Sequence, residues 1–368
     1  LSFKIPYVDF GPTTKSSKVE LTNAFERVLD SGRFVLGEEV KVFEKEFAEY
    51  CGTKYAAGLA NGTCSLHLIF RALGIGPGDE VITTPNTFIA TASAIAQVGA
   101  KPVFVDTKLD FNIDPDLIES AITKNTKAIV PVHLTGRIAK MNEIANIAKA
   151  NNLLVIEDSA QSVGAELDGR KAGSFGDVAS FSFHPLKNLH AFGDAGIVTS
   201  NKIDVITQLN MLKNHGLQDR STCAQWGLNC RLDEMQAAFL SVQLPQLDAW
   251  TNERRGIAEF FNKNLSQVVE TPTEGANEKH VYQTYVIRSD QRDKLKEYLN
   301  GNGVEALIHY PIPIHLQPAA RYLNYKKGSF PVVEKLSNEI LSLPLYPGMP
   351  SEHQEQVVSL ILKFYGIK

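Results

Sequence analysis

The chain has 368 residues, 43% hydrophobic and 21% charged, with a formal net charge of −4. That length suits more than one hydrophobic core, and an acidic balance without a long basic run argues against a nucleic-acid binder held by phosphate neutralisation. No apolar stretch is long enough to span a bilayer, LSFKIPYVDFGPTTKSS lacks the order of a signal peptide, and Cys51, Cys64, Cys223 and Cys230 form no CxxC pair; a cytoplasmic protein with reduced thiols and no metal site is expected.

Residues 19–30 and 38–50 read as helices. Apolar runs at 55–59, 80–84, 102–106, 128–132 and 153–157 read as buried strands, separated by helical patterns at 64–73, 89–98, 115–122 and 141–150. Continuous rather than alternating apolar strands in βα order imply an α/β fold with a mostly parallel central sheet and helices on both faces. Ligands in such sheets collect beyond the carboxyl ends of the strands, which marks residues 60–63, residues 158–161 and the turn around Lys187. Strand-like runs at 178–183 and 196–200 flank that last turn. A long helix over 231–264 carries Pro245 and is expected to bend there. Beyond it HVYQTYVIR reads as a strand, GNG as a turn, and the C-terminus as a helix. The expected organisation is a large domain over 1–245, with the N-terminal helical segment, and a smaller α/β domain over 246–368.

The three marked places carry chemistry. In ANGTCSLHL a strand runs into Asn61-Gly62-Thr63 and a helix leaves. Free N–H groups at a helix start suit a phosphate, and Gly62 allows close approach; an ordinary turn capped by Thr63 would look the same. In EDSAQSVGA, Asp158 ends a wholly apolar strand, where a carboxylate needs a cation or strong donors unless it simply caps the next helix. Glu157 alternates to the opposite side and is expected to be the more exposed of the two. In SFHPLKNLHAFGDAG, Lys187 lies between apolar strand-like flanks, with Pro185 before it and Ser182 five residues earlier. A lysine at a sheet edge is usually solvated; one turned inward becomes less basic and attacks carbonyls to form a Schiff base. A phosphate cradle, a buried carboxylate and a nucleophilic lysine together match pyridoxal phosphate.

At these motifs the chain resembles the DegT/DnrJ/EryC1/StrS family of sugar aminotransferases, pyridoxal-phosphate enzymes of fold type I. The resemblance runs from SGRFVLGEEVKVFEKEFAEYCGTKYA through PNTFIAT, PVHLTG, EDSAQSVGA, SFHPLKNLHAFGDAG, KNHG and GLNCRLDEMQAAFL to HVYQTYVIR and FPVVEKLSNEILSLPLYPGM. It implies that Lys187 carries the cofactor and shuttles the proton, that Asp158 pairs with the pyridinium nitrogen, and that Gln161 contacts the ring's phenolic oxygen. It implies further that Gly62, Thr63 and Ser182 hold the phosphate, that Phe88 stacks on the ring, and that Asn229 reaches the phosphate from a neighbouring subunit. A homodimer with shared sites follows from that last role.

The implied reaction moves an amino group from an amino acid, L-glutamate by resemblance, through the pyridoxamine phosphate form, to a keto sugar carrying a nucleotide. A free keto sugar, keto acid or cyclitol acceptor stays open. A sugar dehydratase of the same fold has histidine in place of the lysine, so Lys187 argues against it; no appended basic segment supports a regulator. The chain departs from many relatives at His190, where glycine is common, and at Thr135, where tyrosine is common. With His184, these are positions where the substrate pocket is expected to be shaped. IHYPIPIHLQP reads as a proline-stiffened loop that brings Tyr310 or His315 to the sugar, since a metal would need a matched ligand set. GIGPGD follows a helix and precedes a strand, the reverse of a dinucleotide loop, and reads as a turn.

Overall fold

The computed structural model describes residues 3–367. Three helices open the chain: α1 (Gly11–Ser16), α2 (Lys18–Ser31) and α3 (Glu38–Cys51). Strands and helices then alternate through β1 (Tyr55–Leu59), α4 (Gly62–Ala72), β2 (Glu80–Thr83), α5 (Ile89–Gln97), β3 (Lys101–Phe104), β4 (Thr126–Ile129), α6 (Met141–Ala150) and β5 (Leu154–Asp158). A small hairpin of β6 (Glu166–Leu167) and β7 (Arg170–Lys171) precedes β8 (Val178–Ser182), β9 (Gly196–Ser200), α7 (Ile203–Leu212), α8 (Glu234–Gln243) and α9 (Leu247–Leu265). The chain closes with β10 (Glu278–Lys279), β11 (Tyr285–Arg288), α10 (Arg292–Gly301), α11 (Pro331–Glu339), β12 (Ile340–Leu343) and α12 (Ser351–Phe364).

The central sheet has seven strands in the order β1-β9-β8-β5-β4-β2-β3. The run from β8 to β3 is parallel, and β9 alone is reversed against both of its neighbours. The sheet is therefore mostly parallel, and its strands are nearly all buried, as their continuous apolar runs require. On one face α4, α5 and α7 place Leu66, Ile95 and Leu209 in a cluster with Val81, Ile156 and Val198. On the other, Phe43 and Phe47 of α3 and Leu240 of α8 cluster with Phe181 and Ile197, while Ile144 of α6 joins Ile129 and Val155. Helices cover both faces.

A separate core gathers Phe261, Tyr285, Leu299, Leu343 and Ile361 around the antiparallel β11–β12 pair. Ile5 is wholly buried in this core. Its N–H donates to the Gly303 carbonyl at 2.9 Å, and its own carbonyl takes the Glu305 N–H at 3.0 Å. The start of the chain is thus stitched to its C-terminal third, which no local pattern signals.

Two expected helices differ. Residues 115–122 form two short 3₁₀ turns, Pro115–Leu117 and Glu119–Ala121, with the Asp114 carboxylate capping the first at the Asp116 N–H. The expected helix over 231–264 starts only at Glu234, because Arg231 and Asp233 are extended and bridge to Leu59 and Val35. Pro245, which has no N–H to donate, sits in a 3₁₀ turn, Leu244–Gln246, between α8 and α9. Among the described residues no helix is long and apolar enough to cross a membrane.

Candidate active site

Strand register converges three loops at the carboxyl end of the sheet. Gly196 of β9 pairs with Leu59 of β1 on one side and Ser182 of β8 on the other. A Cβ at Gly196 would stand 2.5 Å from the Asn61 carbonyl carbon, so only glycine lets the 61–62 turn lie against β9. Asn61 caps α4 by accepting the Cys64 N–H on Oδ1 at 2.8 Å, and its carbonyl takes the Ser65 N–H at 3.0 Å. The cap is therefore Asn61 rather than Thr63, and the helix begins two residues earlier than its apolar pattern. This arrangement leaves the N–H groups of Gly62 and Thr63 in the first turn for an outside acceptor. Ser182 lies beside them: a Cβ at Gly62 would come within 2.9 Å of the Ser182 Cβ.

Asp158 is buried at the end of β5. Thr91 donates to its Oδ2 at 2.7 Å, and the Ala160 N–H to its Oδ1 at 3.2 Å. Thr87 stands 2.8 Å from Thr91, whose proton is committed to Asp158, so Thr87 is the donor of that pair. Glu157 overturns its expectation. Its side chain is wholly buried on the face it shares with Val155, because the 173–176 turn folds over it. Oε2 meets His133 Nε2 at 3.0 Å and takes the Gly173 N–H at 2.8 Å; Oε1 takes the N–H groups of Phe175 at 2.8 Å and Gly176 at 2.7 Å. Burial alone would raise its carboxyl; the His133 contact and the backbone donors outweigh that and hold it below the usual value.

Lys187 sits in the turn after β8, and its ammonium is desolvated. Burial pushes it from 10.5 down to about 8, against the opposing pull of the Asp158 carboxylate. The turn is clamped from the HVYQTY segment: Gln283 accepts the Asn188 N–H and donates to the Leu186 carbonyl, both at 2.6 Å. Asn188 in turn donates to the Val163 carbonyl at 2.7 Å. Gln161 Oε1 takes the Thr135 N–H at 2.8 Å, which aims Nε2 at the Tyr310 hydroxyl, 3.3 Å away. Tyr310 is raised to about 12 by burial and then by Asp158, and His309 is lowered to about 4 by burial and then by Lys187. Lys187, Asp158, Gln161, His309 and Tyr310 thus share one electrostatic environment. Phe88, 51% exposed at the start of α5, stands with its ring 5.8 Å from that of Tyr310.

The remaining expected residues are placed unevenly. Asn229 is exposed in the segment before α8, and its side chain has no hydrogen-bond partner among the described residues. His184 is exposed beside the lysine turn, accepting the Leu186 N–H at 3.2 Å. His190 is packed away, 5.0 Å from the Phe10 ring, and burial lowers it to about 4. His315 does not join Lys187: its buried ring lies 3.0 Å from Glu334 and edge-on to Phe330, since a buried imidazole needs a polar partner and Glu334 supplies one. Thr91, Gln283 and His309 were missed. Only the place of Thr91 one helical turn beyond Thr87 hints at a paired role.

The arrangement fits pyridoxal phosphate on its own geometry. Two free N–H groups stand in a turn where a Cβ would meet Ser182, Thr91 fixes the buried Asp158 carboxylate at the end of β5, and the desolvated Lys187 amine feels that carboxylate. The model of the DegT/DnrJ/EryC1/StrS aminotransferase family matches residues 15–362. The chain belongs to this family.

The aminotransferase is 43% identical over 362 residues to the dTDP-3-amino-3,6-dideoxy-alpha-D-galactopyranose transaminase of Aneurinibacillus thermoaerophilus, covering 98% of this chain and 99% of that one. Among solved structures it resembles S. venezuelae DesV in complex with a ketimine intermediate, at 38% identity and a TM-score of 0.96 over 99% of both chains. It also resembles NtdA from Bacillus subtilis with bound cofactor PMP, at 30% identity and a TM-score of 0.89, covering 97% of this chain and 84% of that one. The aminotransferase therefore has the fold-type I architecture and uses the family's cofactor, pyridoxal phosphate.

Proposed function

We propose that this aminotransferase moves an amino group from L-glutamate to the keto carbon of a nucleotide-linked keto-deoxysugar, as a homodimer with shared sites. The observation that carries the chemistry is the desolvated Lys187 amine set against the fixed Asp158 carboxylate, with the Gly62–Thr63 turn beside them. The sugar-nucleotide acceptor is supported by the dTDP-amino-sugar transaminase with 43% identity over nearly the whole chain. The donor follows from the family resemblance.

Bound pyridoxal phosphate supplies an aldehyde that takes up the amino group and a ring that accepts the electron pair released at the substrate carbon. Lys187 would hold the cofactor through Nζ, and its amine, once freed, would take the proton from one carbon and return it to another. Asp158 accepts a hydrogen bond from the ring nitrogen and favours its protonated form, while Thr91 keeps the carboxylate from turning away. Gln161 offers Nε2 to the phenolic oxygen because its Oε1 is occupied by Thr135. The N–H groups of Gly62 and Thr63 and the Ser182 hydroxyl receive the phosphate, and Phe88 covers the ring. Tyr310 stands on the substrate side, where its hydroxyl can meet a sugar oxygen. His184 borders the same opening, and His190 shapes it only through packing.

Asn229 of the partner subunit completes the phosphate site in this reading. Support comes from the exposed, unpartnered Asn229 and from the apolar side chains left open near it, Trp226 at 85% and Leu228 at 38%. The same reading divides the chain into a cofactor-binding unit, 1–245, and a smaller unit, 246–368, with the segment around Ile5 joining the second.

Absorbance tests the proposal. The visible band of the lysine-bound cofactor is expected to vanish with L-glutamate and to return with a dTDP-linked keto sugar. A band unmoved by glutamate and by every other amino donor would end the transaminase reading. Return of the band with a cyclitol ketone alone would reassign the acceptor. For the shared site, mixing Lys187→Ala with Asn229→Ala subunits is expected to restore roughly a quarter of the wild-type activity, because only the mixed dimer rebuilds one intact site. No recovery after verified subunit exchange would place Asn229 in its own subunit's site.

A further inference from the structure

Cys64 and Cys230 are brought together from opposite ends of the cofactor-binding unit. Their sulfurs stand 3.0 Å apart, with the Cys230 thiol donating to Cys64. Both thiols are free, and neither takes part in the reaction described above. The backbone bridge between Leu59 and Arg231 holds the two segments side by side. The other cysteines differ: Cys51 is buried with its thiol pushed well above the usual range, and Cys223 is exposed with only backbone carbonyls near its sulfur.

The position matters more than the contact. Cys64 lies in the first turn of α4 directly after Gly62 and Thr63, and Cys230 directly follows Asn229. The Cys230 hydrogen bond is the largest influence on the Cys64 thiol and lowers it below its ordinary value, which favours Cys64 as the attacking sulfur of the pair. Cys64 is also partly open to solvent, which admits a small oxidant.

We infer that Cys64 and Cys230 are a reversible disulfide site, formed by a peroxide, and that this disulfide and the cofactor phosphate oppose one another. The inference of mutual opposition rests on the reading of Gly62 and Thr63 as the phosphate cradle; the disulfide itself does not. The Cys64 thiolate attacks one peroxide oxygen, the O–O bond breaks, and water leaves after protonation, giving a sulfenic acid. The Cys230 sulfur then attacks the Cys64 sulfur, forming the S–S bond and expelling the second oxygen as water. Two electrons pass from the thiols to one peroxide. Bonding draws the sulfurs from 3.0 Å to about 2.05 Å. Cys64 shares the first turn of α4 with Gly62 and Thr63, and Asn61 holds its backbone N–H, so in this inference the motion is passed to that turn. The N–H groups of Gly62 and Thr63 are therefore turned away from the phosphate. By linkage, bound phosphate must disfavour the disulfide to the same degree, and its negative charge also disfavours the thiolate.

The test treats cofactor-free and cofactor-loaded protein with hydrogen peroxide and follows peptide masses, with exposed Cys223 as a clock. A Cys64–Cys230 cross-link is expected in the cofactor-free protein, forming severalfold more slowly when cofactor is bound. The oxidised protein is expected to bind pyridoxal phosphate roughly tenfold more weakly by equilibrium titration, with recovery on reduction. In Cys230→Ser peroxide should stop at an oxidised Cys64, with no cross-link formed. Full modification of Cys223 without any Cys64–Cys230 link would overturn the site. A link that leaves cofactor affinity unchanged would overturn the coupling. If the cradle reading alone is wrong, the cross-link still forms while Gly62→Ala leaves cofactor affinity untouched, which separates the two failures.

Discussion

Thr91 Oγ1 donates to Asp158 Oδ2 at 2.7 Å across 67 residues of chain, tying the first turn of α5 to the end of β5. The bond makes Thr91 a positioning residue for the carboxylate proposed to face the ring nitrogen. Thr91→Val keeps the shape and leaves Oδ2 unpaired, an effect on the order of 1.5–3 kcal/mol for a hydrogen bond to a charged group. A fall in kcat of about ten- to a hundredfold is expected, with the KM for the donor little changed and Thr91→Ser recovering most of the loss. Steady-state kinetics with unchanged kcat would remove the role.

Gly62 tests the cradle. Its missing Cβ is the only space between the turn and the Ser182 Cβ, 2.9 Å from where a methyl group would sit. Neither atom is at the end of a flexible side chain, so Gly62→Ala must move the turn itself. Cofactor affinity is expected to fall by about tenfold or more, measured by fluorescence titration.

Lys187 carries a pH signature that is independent of turnover. In the cofactor-free protein its folded value, about 8, lies below the ordinary 10.5, so between these values the unfolded chain binds more protons than the folded one. Stability contributed at this site therefore rises with pH across that window and is at its worst below about 8. Lys187→Met is expected to melt at a higher temperature than wild type at pH 7, and the gain should shrink as pH climbs from about 8 towards 10.5. A gain that is constant with pH would mean that the amine is not desolvated in the folded protein.

Glu157 is the structural counterpart of Asp158. Glu157→Gln retains one acceptor but sets an amide donor against the Gly173 N–H at a wholly buried position. A loss of about 3–5 kcal/mol is expected in denaturant melts. The wild-type carboxyl is held below its ordinary value despite burial, so its stabilisation is present above the ordinary value and disappears as pH falls through the folded one. The acid limb of the stability profile should be shallower in the variant. An unchanged limb would assign the acid sensitivity to other carboxylates.

The local pattern of the chain determined the alternating βα order, the mostly parallel sheet and the three loops at the strand ends. Strand hydrophobicity and helix periodicity are local signals, and Lys187, Asp158 and Gly62 each sit where such a signal stops. It also determined the residue types for the cofactor, because an amine, a carboxylate and a free helix start are properties of single loops. The tertiary structure decided what surrounds them. Glu157 looked exposed because alternation sends it away from Asp158, but only the folded 173–176 turn reveals a buried nest of donors on that side. His315 looked like a substrate contact, and a single distant carboxylate, Glu334, claims it instead. The Gln283 clamp, the Thr91 bond, the Cys64–Cys230 pair and the stitching of Ile5 to Val304 all join residues far apart in order. Register and packing choose such partners, and neither is written in the spacing of residues along one segment.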